Sequence, residues 1–542
     1  MLGQKIRDLR VHRALSLEQL VPKDNFYRQL SDQLDLRFVY LLVKDAYAPT
    51  LGRPSIDPIV FFKLQLIMFF EGIRSDRQLM ETVNLNLAHR WYIGYDLDEA
   101  VPDHSSLSKI RTRYGLAVFQ RFFEQVVELC LEAGLVWGKE LYFDGTKIRA
   151  NAAVTSLVPR WYWKAKQHVQ SLFAPAVSVP STSAASANSV SQPSSSQHVW
   201  LVNTYDGQRQ PNQVTSNYQR ATDLSVSTTD PDASPMNRFP GDQTHLGYHT
   251  HYVVDGGKAR IILAALVTPA SVQDNTPMLD LARWVRFRWK LKPHIAVGDT
   301  RYGTIANIVG LEEDGLRAYV PIADHRRPEP FYPAERFRFD AARECYVCPQ
   351  DQILIRHSRR QRDQVVVYRA KPAVRNACPV KAECTASRSG RHIFRSFFQD
   401  YVDRVRTYHV TSAYQKALRK RLVWVEPLFA EIKQWHHLTQ FHLRGLHKVN
   451  VEGLIAATGQ NLKRLLNHWR RERTRTPATM AARLFTHTFL FLQLARSVFA
   501  LQAKRLFQQA LLALRKCVKH TVLACFPHLC CGNPHLSLHY PL

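Results

Sequence analysis

The chain has 542 residues, 45% of them hydrophobic and 22% charged, a globular composition that excludes general disorder and implies about three to four folded units. Its 73 Lys and Arg against 45 Asp and Glu leave a net charge of +28 and a sequence pI near 9.9. Such an excess draws a chain to polyanions, and a duplex with a negative charge about every 1.7 Å of its axis fits it better than an anionic membrane surface.

Residues 1–8 carry basic groups without an apolar core of signal-peptide length, so a cytoplasmic location is expected. Up to about residue 135 the pattern is all-helical. Pro58 to Phe70 is hydrophobic nearly all round, with Ser55 and Asp57 as N-cap candidates upstream, which predicts a central helix of a small bundle. Pro102 to Tyr114 opens with a capping cluster and carries Lys109, Arg111 and Arg113. Short helices with polar, basic starts suit a helix-turn-helix reader of DNA. A bundle with a solvated basic face accounts for the same residues.

From Glu140 the period shortens to two, and Glu140 to Ile148 reads as a strand through Asp144, although Asp144-Gly145 is itself a turn signal. Residues 174–215 read as a flexible surface insertion, because Ala174 to Gln197 is rich in Ser, Ala, Val and Pro and buries too little to order itself. His249 to Asp255 and Lys258 to Val267 flank an Asp-Gly-Gly turn and predict a hairpin. Asn275 to Trp289 has helical period. Pro293 to Gly298 is a short buried strand ending at Asp299, Asn307 to Leu311 a helical turn, and Arg317 to Ile322 a further strand.

Between 331 and 397 the composition changes. Cys345-Tyr-Val-Cys348 and Cys378-Pro-Val-Lys-Ala-Glu-Cys384 present two close pairs, and four thiolates satisfy a structural Zn2+, with Gln352 to Arg369 as the hairpin of a zinc-ribbon-like insertion. Buried or loosely paired thiols are the other reading. Arg419 to Lys433 is a basic helical stretch in which Glu426 and Lys433, seven apart, share nearly one face, while Glu431 lies on another. Beyond residue 478 the chain is apolar and helix-prone. Its tract 484–500 is broken by His487, Gln493 and Arg496, short of the roughly 20 clean residues of a spanning helix, so no membrane partner is expected. Cys517, Cys525, His528, Cys530 and Cys531 are too crowded for a standard metal site.

Three neighbouring carboxylates can hold two divalent cations that clamp the attacking and leaving oxygens of an in-line phosphoryl displacement. Oxygen ligands suit Mg2+ or Mn2+. The order strand, hairpin, helix, strand, short helix, strand is that of an RNase H-like fold, an α/β class with a mixed sheet flanked by helices. There the first strand and the end of the fourth lie side by side and a later helix packs across them. Asp144, Asp299 and Glu426 occupy those three places. Asp255 belongs to a hairpin turn, and Asp230 and Asp232 are the remaining competitors.

The motifs Phe143-Asp144-Gly145-Thr146-Lys147, Gly298-Asp299-Thr300-Arg301-Tyr302-Gly303, Val425-Glu426-Pro427-Leu428-Phe429, Ile432-Lys433 and Arg444 to Val449, with Arg53 to Pro58 and Ser75 to Leu79, together resemble a DDE transposase of bacterial insertion sequences. The resemblance runs from about residue 30 to about 470. It implies a metal-dependent recombinase that cuts at the element's terminal inverted repeats and joins 3′ ends to target DNA, working as a homodimer on double-stranded DNA in the nucleoid. Asp144, Asp299 and Glu426 would be its metal ligands, with two Mg2+ or Mn2+ ions, and Arg421 and Lys433 would contact phosphate. Arg421 departs from the family's usual spacing before the glutamate. On this reading the chain divides into a helical DNA-binding domain (1–135), the first part of the catalytic core (136–330), the cysteine-rich insertion (331–397), the core's last helices (398–475) and a helical extension (476–542). A transposase-derived protein that binds DNA without cutting it, and a general RNase H-like nuclease, are the alternatives.

Overall fold

The computed structural model describes residues 16–47, 55–173, 193–205, 224–237, 241–322 and 331–474. Most of the serine-rich stretch and all of the 476–542 extension, with its cysteines, lie outside the described residues. Residues 1–466 make one compact unit and 467–542 a second.

The helical region is built as its caps dictate. Helix α1 (Pro58–Phe70) starts at Asp57, whose carboxylate accepts from the Ile59 N–H, with Pro58 at the first helical position, where its missing N–H costs nothing. It is buried nearly all round, as its all-apolar sequence requires. Helices α2 (Asp76–Leu85) and α3 (Leu87–Ile93) follow, capped by Ser75 and Asn86. The long α4 (His104–Glu132) starts at Asp103 and is broken at Gly115, whose φ of 64° is open to glycine at no steric cost. Phe61, Phe62, Tyr114, Phe119 and Phe122 pack together as the bundle core.

Strand β1 (Glu140–Arg149) runs unbroken through Asp144 and Gly145, which pair with Tyr252 and His251. The turn suggested by Asp-Gly does not form, because the antiparallel neighbour takes up the backbone groups there and a tight turn would orphan them. Strand β2 (His245–Asp255) and β3 (Ile262–Pro269) are the expected hairpin, longer at its open end and with β3 starting later, at Ile262. Helix α5 (Met278–Trp289), β4 (Ile295–Val297), α6 (Ile305–Glu313) and β5 (Arg317–Tyr319) complete the first part. The sheet runs β3-β2-β1-β4-β5, antiparallel through the first three strands and parallel through the last three, with a short strand, Ser234–Met236, beside β2. This mixed order, with its helical N-terminal region, is consistent with an RNase H-like DDE domain. Within the stretch read as flexible, Pro193–Thr204 is a helix. Leu201 and Val202 are buried, and the Tyr205 hydroxyl donates to Asp280 at 2.5 Å, so this short apolar cluster suffices to order the piece.

The insertion is a five-stranded antiparallel sheet of β6 (Arg338–Asp340), β7 (Cys345–Val347), β8 (Ile353–Arg360), β9 (Val365–Ala370) and β10 (His392–Ser396). Phe337, Tyr346, Leu354, Tyr368 and Ile393 form its own core. A zinc ribbon is not shown: among the described residues no group of three or more His, Cys, Asp or Glu could hold a metal ion. Cys348, Cys378 and Cys384 line one pocket, but Cys345 is not among its lining residues: its strand neighbour Tyr346 points into the core, so Cys345 points to the opposite face. The four thiols are therefore not gathered at one point.

The chain returns through α7 (Gln399–His409), α8 (Ser412–Trp424), α9 (Glu426–Gln434) and α10 (Leu446–Thr474). Asp230 and Asp232, which competed for the site, accept from the Gly445 and Leu446 N–H groups and so cap α10. Asp255 accepts three backbone N–H bonds, from Trp137, Gly138 and Gly257, and is structural. Among the described residues no helix is long and apolar enough to cross a membrane.

The helical region docks on the core through Phe69, which stacks on His436 at 3.9 Å and leaves no space over Gly459, and through the Arg74–Glu452 ion pair. A Cβ at residue 459 would stand 2.1 Å from the Phe69 ring. Gly459→Val should therefore cost about 1–3 kcal/mol by overpacking, more than the few tenths gained in helix propensity. A fall in melting temperature relative to wild type checks this.

Candidate active site

Strand register brings the two aspartates together. Tyr142 of β1 is paired in parallel with Val297 of β4, and each aspartate comes two residues later, Asp144 after Tyr142 and Asp299 after Val297. Equal offsets on parallel neighbours put both at one level of the sheet, on strands about 4.8 Å apart. Asp299 ends its strand in extended backbone, and its Oδ1 accepts from the Arg301 N–H at 2.8 Å. The sharp turn that follows needs Gly303, since a Cβ there would fall 2.1 Å from the Pro321 carbonyl oxygen.

The third carboxylate arrives on a helix pair. Along α8, Lys420 binds Glu140 at the start of β1 (2.6 Å) and the Trp424 indole donates to the Gly257 carbonyl (2.8 Å), which fixes α8 over the strand. The chain breaks at Val425, and α9 restarts at Glu426 with Pro427 in its first turn. Helix α9 is seated by Leu428, Ile432 and Phe429, the last stacked on Tyr252 of β2 at 4.7 Å. Lys433, one helical face along from Glu426, donates to the Thr146 hydroxyl of β1 at 2.6 Å. Thr146 shares its strand face with Asp144.

Arg421 ties these parts together. Its Nη1 lies 3.2 Å from Asp144 Oδ2 and its Nη2 3.4 Å from Glu426 Oε1. Asp144 and Arg421 are nearly buried, whereas Glu426 is half exposed. Burial pushes the Asp144 carboxyl up to about 6, against the opposing pull of Arg421 and the Gly145 N–H, and the negative charges of Asp299 and Glu426 push it further up. Asp144 therefore feels the other two acids. Tyr302 is buried and raised well above its usual range by that burial and by Asp144, Asp274 and Asp299. Among the described residues no group of three or more His, Cys, Asp or Glu stands close enough to hold a metal ion. Asp144 and Glu426 flank the Arg421 guanidinium.

Glu431, the rival for the third position, is committed elsewhere: it binds Lys463 at 2.6 Å and Arg464 at 3.3 Å and accepts from Gln460. Of the three basic residues expected at DNA in the helical region, Lys109 and Arg113 are exposed, Arg113 lying over the Tyr47 ring. Arg111 is buried and paired with Asp76 at 2.9 Å, so its guanidinium serves the bundle. Sequence reading missed Asp274 and His249. Asp274 binds Arg301 at 2.6 Å and His249 at 2.9 Å, and so braces the turn that carries Asp299. The available signal was the pair of histidines, His249 and His251, on an otherwise apolar buried strand.

Asp144 and Asp299 thus follow paired parallel strands, Glu426 starts a helix, and Arg421 lies beside Asp144 and Glu426 on a mixed α/β core. Residues 15–113 match the model of a family described as Transposase domain (DUF772), and residues 347–466 match one described as Transposase DDE domain. Both matches support an insertion-sequence DDE transposase and a transposase function. DNA cleavage and strand transfer are the general activity of that group. The second match contains Arg421, Glu426 and Lys433 and stops short of both aspartates. No curated protein matches the chain.

The Glu431 network makes a separate prediction. Burial raises that carboxyl, but a hydrogen bond from His436 and the charges of Arg464 and Lys463 outweigh it and hold the group well below its ordinary value of 4.5. A depressed folded-state pKa gives stability that is fully present above 4.5 and lost as pH falls below it. Glu431→Gln should lower the melting temperature near neutral pH, and the deficit should shrink steadily in acid below the carboxylate's ordinary value. Thermal melts of both proteins across pH check this.

Proposed function

We propose that Asp144, Asp299 and Glu426 are the catalytic carboxylates of this transposase, holding Mg2+ or Mn2+ while it nicks the terminal inverted repeats of its element and joins the freed 3′ ends to target DNA. The observation that carries the reading is the parallel register of β1 and β4, which sets Asp144 beside Asp299, with Glu426 brought to Asp144 through Arg421. The donor set fits a hard divalent cation, since all three groups are oxygen ligands. Asp144, Asp299 and Glu426 would hold the cation, and Arg421 supplies positive charge beside Asp144 and Glu426. When bound, the ions would lower the pKa of an attacking water or 3′ hydroxyl and neutralise the leaving oxygen.

The chain's own residues do the rest. Arg421 balances the negative charge of two acids in the free protein and is near enough to contact a DNA phosphate once they are otherwise engaged. Lys433, anchored at Thr146, adds positive charge beside the same strand. The exposed Lys109 and Arg113 offer the helical region a place to touch the duplex backbone. The helical region up to residue 135 would read the repeats, and residues 136–330 with 398–475 would cut and join them. A homodimer holding two element ends, in the cytoplasm and on the nucleoid, completes the reading. The four cysteines fit no closed zinc site, and no role is derived from one.

Purified protein with Mg2+ should nick a labelled duplex carrying the element's terminal repeat and leave an unrelated duplex intact. Asp144→Ala, Asp299→Ala and Glu426→Ala should each reduce nicking by about a hundredfold or more while repeat binding persists. Full cleavage by all three variants would overturn the site assignment. Repeat binding without cleavage by the wild type would mark a DNA-binding derivative, and equal cutting of unrelated DNA a general nuclease.

A further inference from the structure

Residues 331–397 hold fourteen Lys and Arg against six Asp and Glu. Their sheet buries one face, carrying Leu354, Tyr368 and Ile393. Pairing fixes what stands on the other. Ile355 is opposite Arg369, Arg369 opposite His392, Arg360 opposite Val365, and Val367 opposite Phe394. Strand side chains alternate, so these residues share the face turned away from that core.

Three large apolar groups stay uncovered in this part of the sheet: Ile353 (44% exposed), Ile355 (43%) and Phe394 (49%). Basic groups are interleaved with them. The Arg360 guanidinium lies 5.5 Å over the Phe394 ring, Arg369 approaches the His357 ring nitrogen at 3.4 Å, and the His357 and His392 rings are 6.5 Å apart. His392 is held below its usual value by burial and then by the charges of Arg369, His357 and Arg360. Among the described residues the carboxylate paired with this group is Asp363, 3.9 Å from Arg360 and itself half exposed. Like charges gathered on one face, with so little acid to offset them, repel one another in the free protein, and a polyanion relieves that repulsion. A flat sheet bearing arginines beside an exposed aromatic ring offers both things a nucleic acid strand presents, phosphates and π-faces.

We infer that this face of the insertion is a DNA-contacting surface separate from the carboxylate site, with Arg360 and Arg369 on backbone phosphates and Phe394 against a base or sugar. It rests on the transposase reading for the identity of the polyanion. Ile355 supplies apolar contact beside Phe394, and the two arginines are the charges that count.

The test uses full-length protein and fluorescence anisotropy with a random-sequence duplex and its single strand, across a range of salt. Arg360→Gln/Arg369→Gln should weaken binding at least about tenfold and reduce the slope of log affinity against log salt by about two. Phe394→Ser should weaken binding at least about fivefold with the slope unchanged. Arg360→Lys/Arg369→Lys should keep the wild-type slope, which separates charge from folding. Wild-type binding with no change in the glutamine pair overturns this surface and leaves the transposase reading intact. A wild type without affinity for any DNA overturns both. Loss of binding to anionic vesicles in the glutamine pair, with DNA binding retained, assigns the face to a lipid surface and overturns the proposal.

Discussion

The parallel pairing of β1 with β4 is the constraint on which the rest of the site depends. Three residue pairs suffice, from Glu140 opposite Ile295 to Tyr142 opposite Val297. A slip of one residue would turn one aspartate to the other side of the sheet while leaving its partner in place. The surroundings resist that slip. Leu141, Tyr142, Ala296 and Val297 are fully buried, so any shift would expose apolar groups and bury polar ones. The hydrophobic core thus sets the position of the acids with the same interactions that stabilise the sheet. The turn beyond Asp299, braced by Arg301, Asp274 and His249, holds the second acid once the strand has delivered it.

Gathering three acids has an electrostatic cost, and Arg421 meets it. It does so from α8, while Glu426 begins α9, with only Val425 clearly out of helical register between them. Each helix is therefore seated by its own contacts: α8 through Lys420 and Trp424, α9 through Phe429 and Lys433. A continuous helix would turn residues five apart through about 500°, well away from a common face. The break allows both to reach Asp144.

Much of this was legible in the residues. The strand order, the hairpin and the start of α1 followed from period and turn chemistry, since each is written locally. What could not be read depended on neighbours far along the chain. Asp144-Gly145 carries a turn signal, yet its pairing with Tyr252 and His251 of β2 holds it extended. Arg111 looks like a ligand for DNA, but Asp76, 35 residues earlier, claims it. Two close cysteine pairs imply a cluster, but strand alternation turns Cys345 away from the other three. Glu431 and Glu426 were separable by helical phase, whereas the lysine and arginine that occupy Glu431 come from α10.

The insertion leaves the core after β5 and returns at α7, and its sheet has a hydrophobic core of its own. Closing a flexible loop costs only about 0.6 kcal/mol for each doubling of its length. Since these residues order themselves, the core meets little of even that cost. The segment between β5 and α7 is thus free to change in size and surface without disturbing the sheet that carries Asp144 and Asp299.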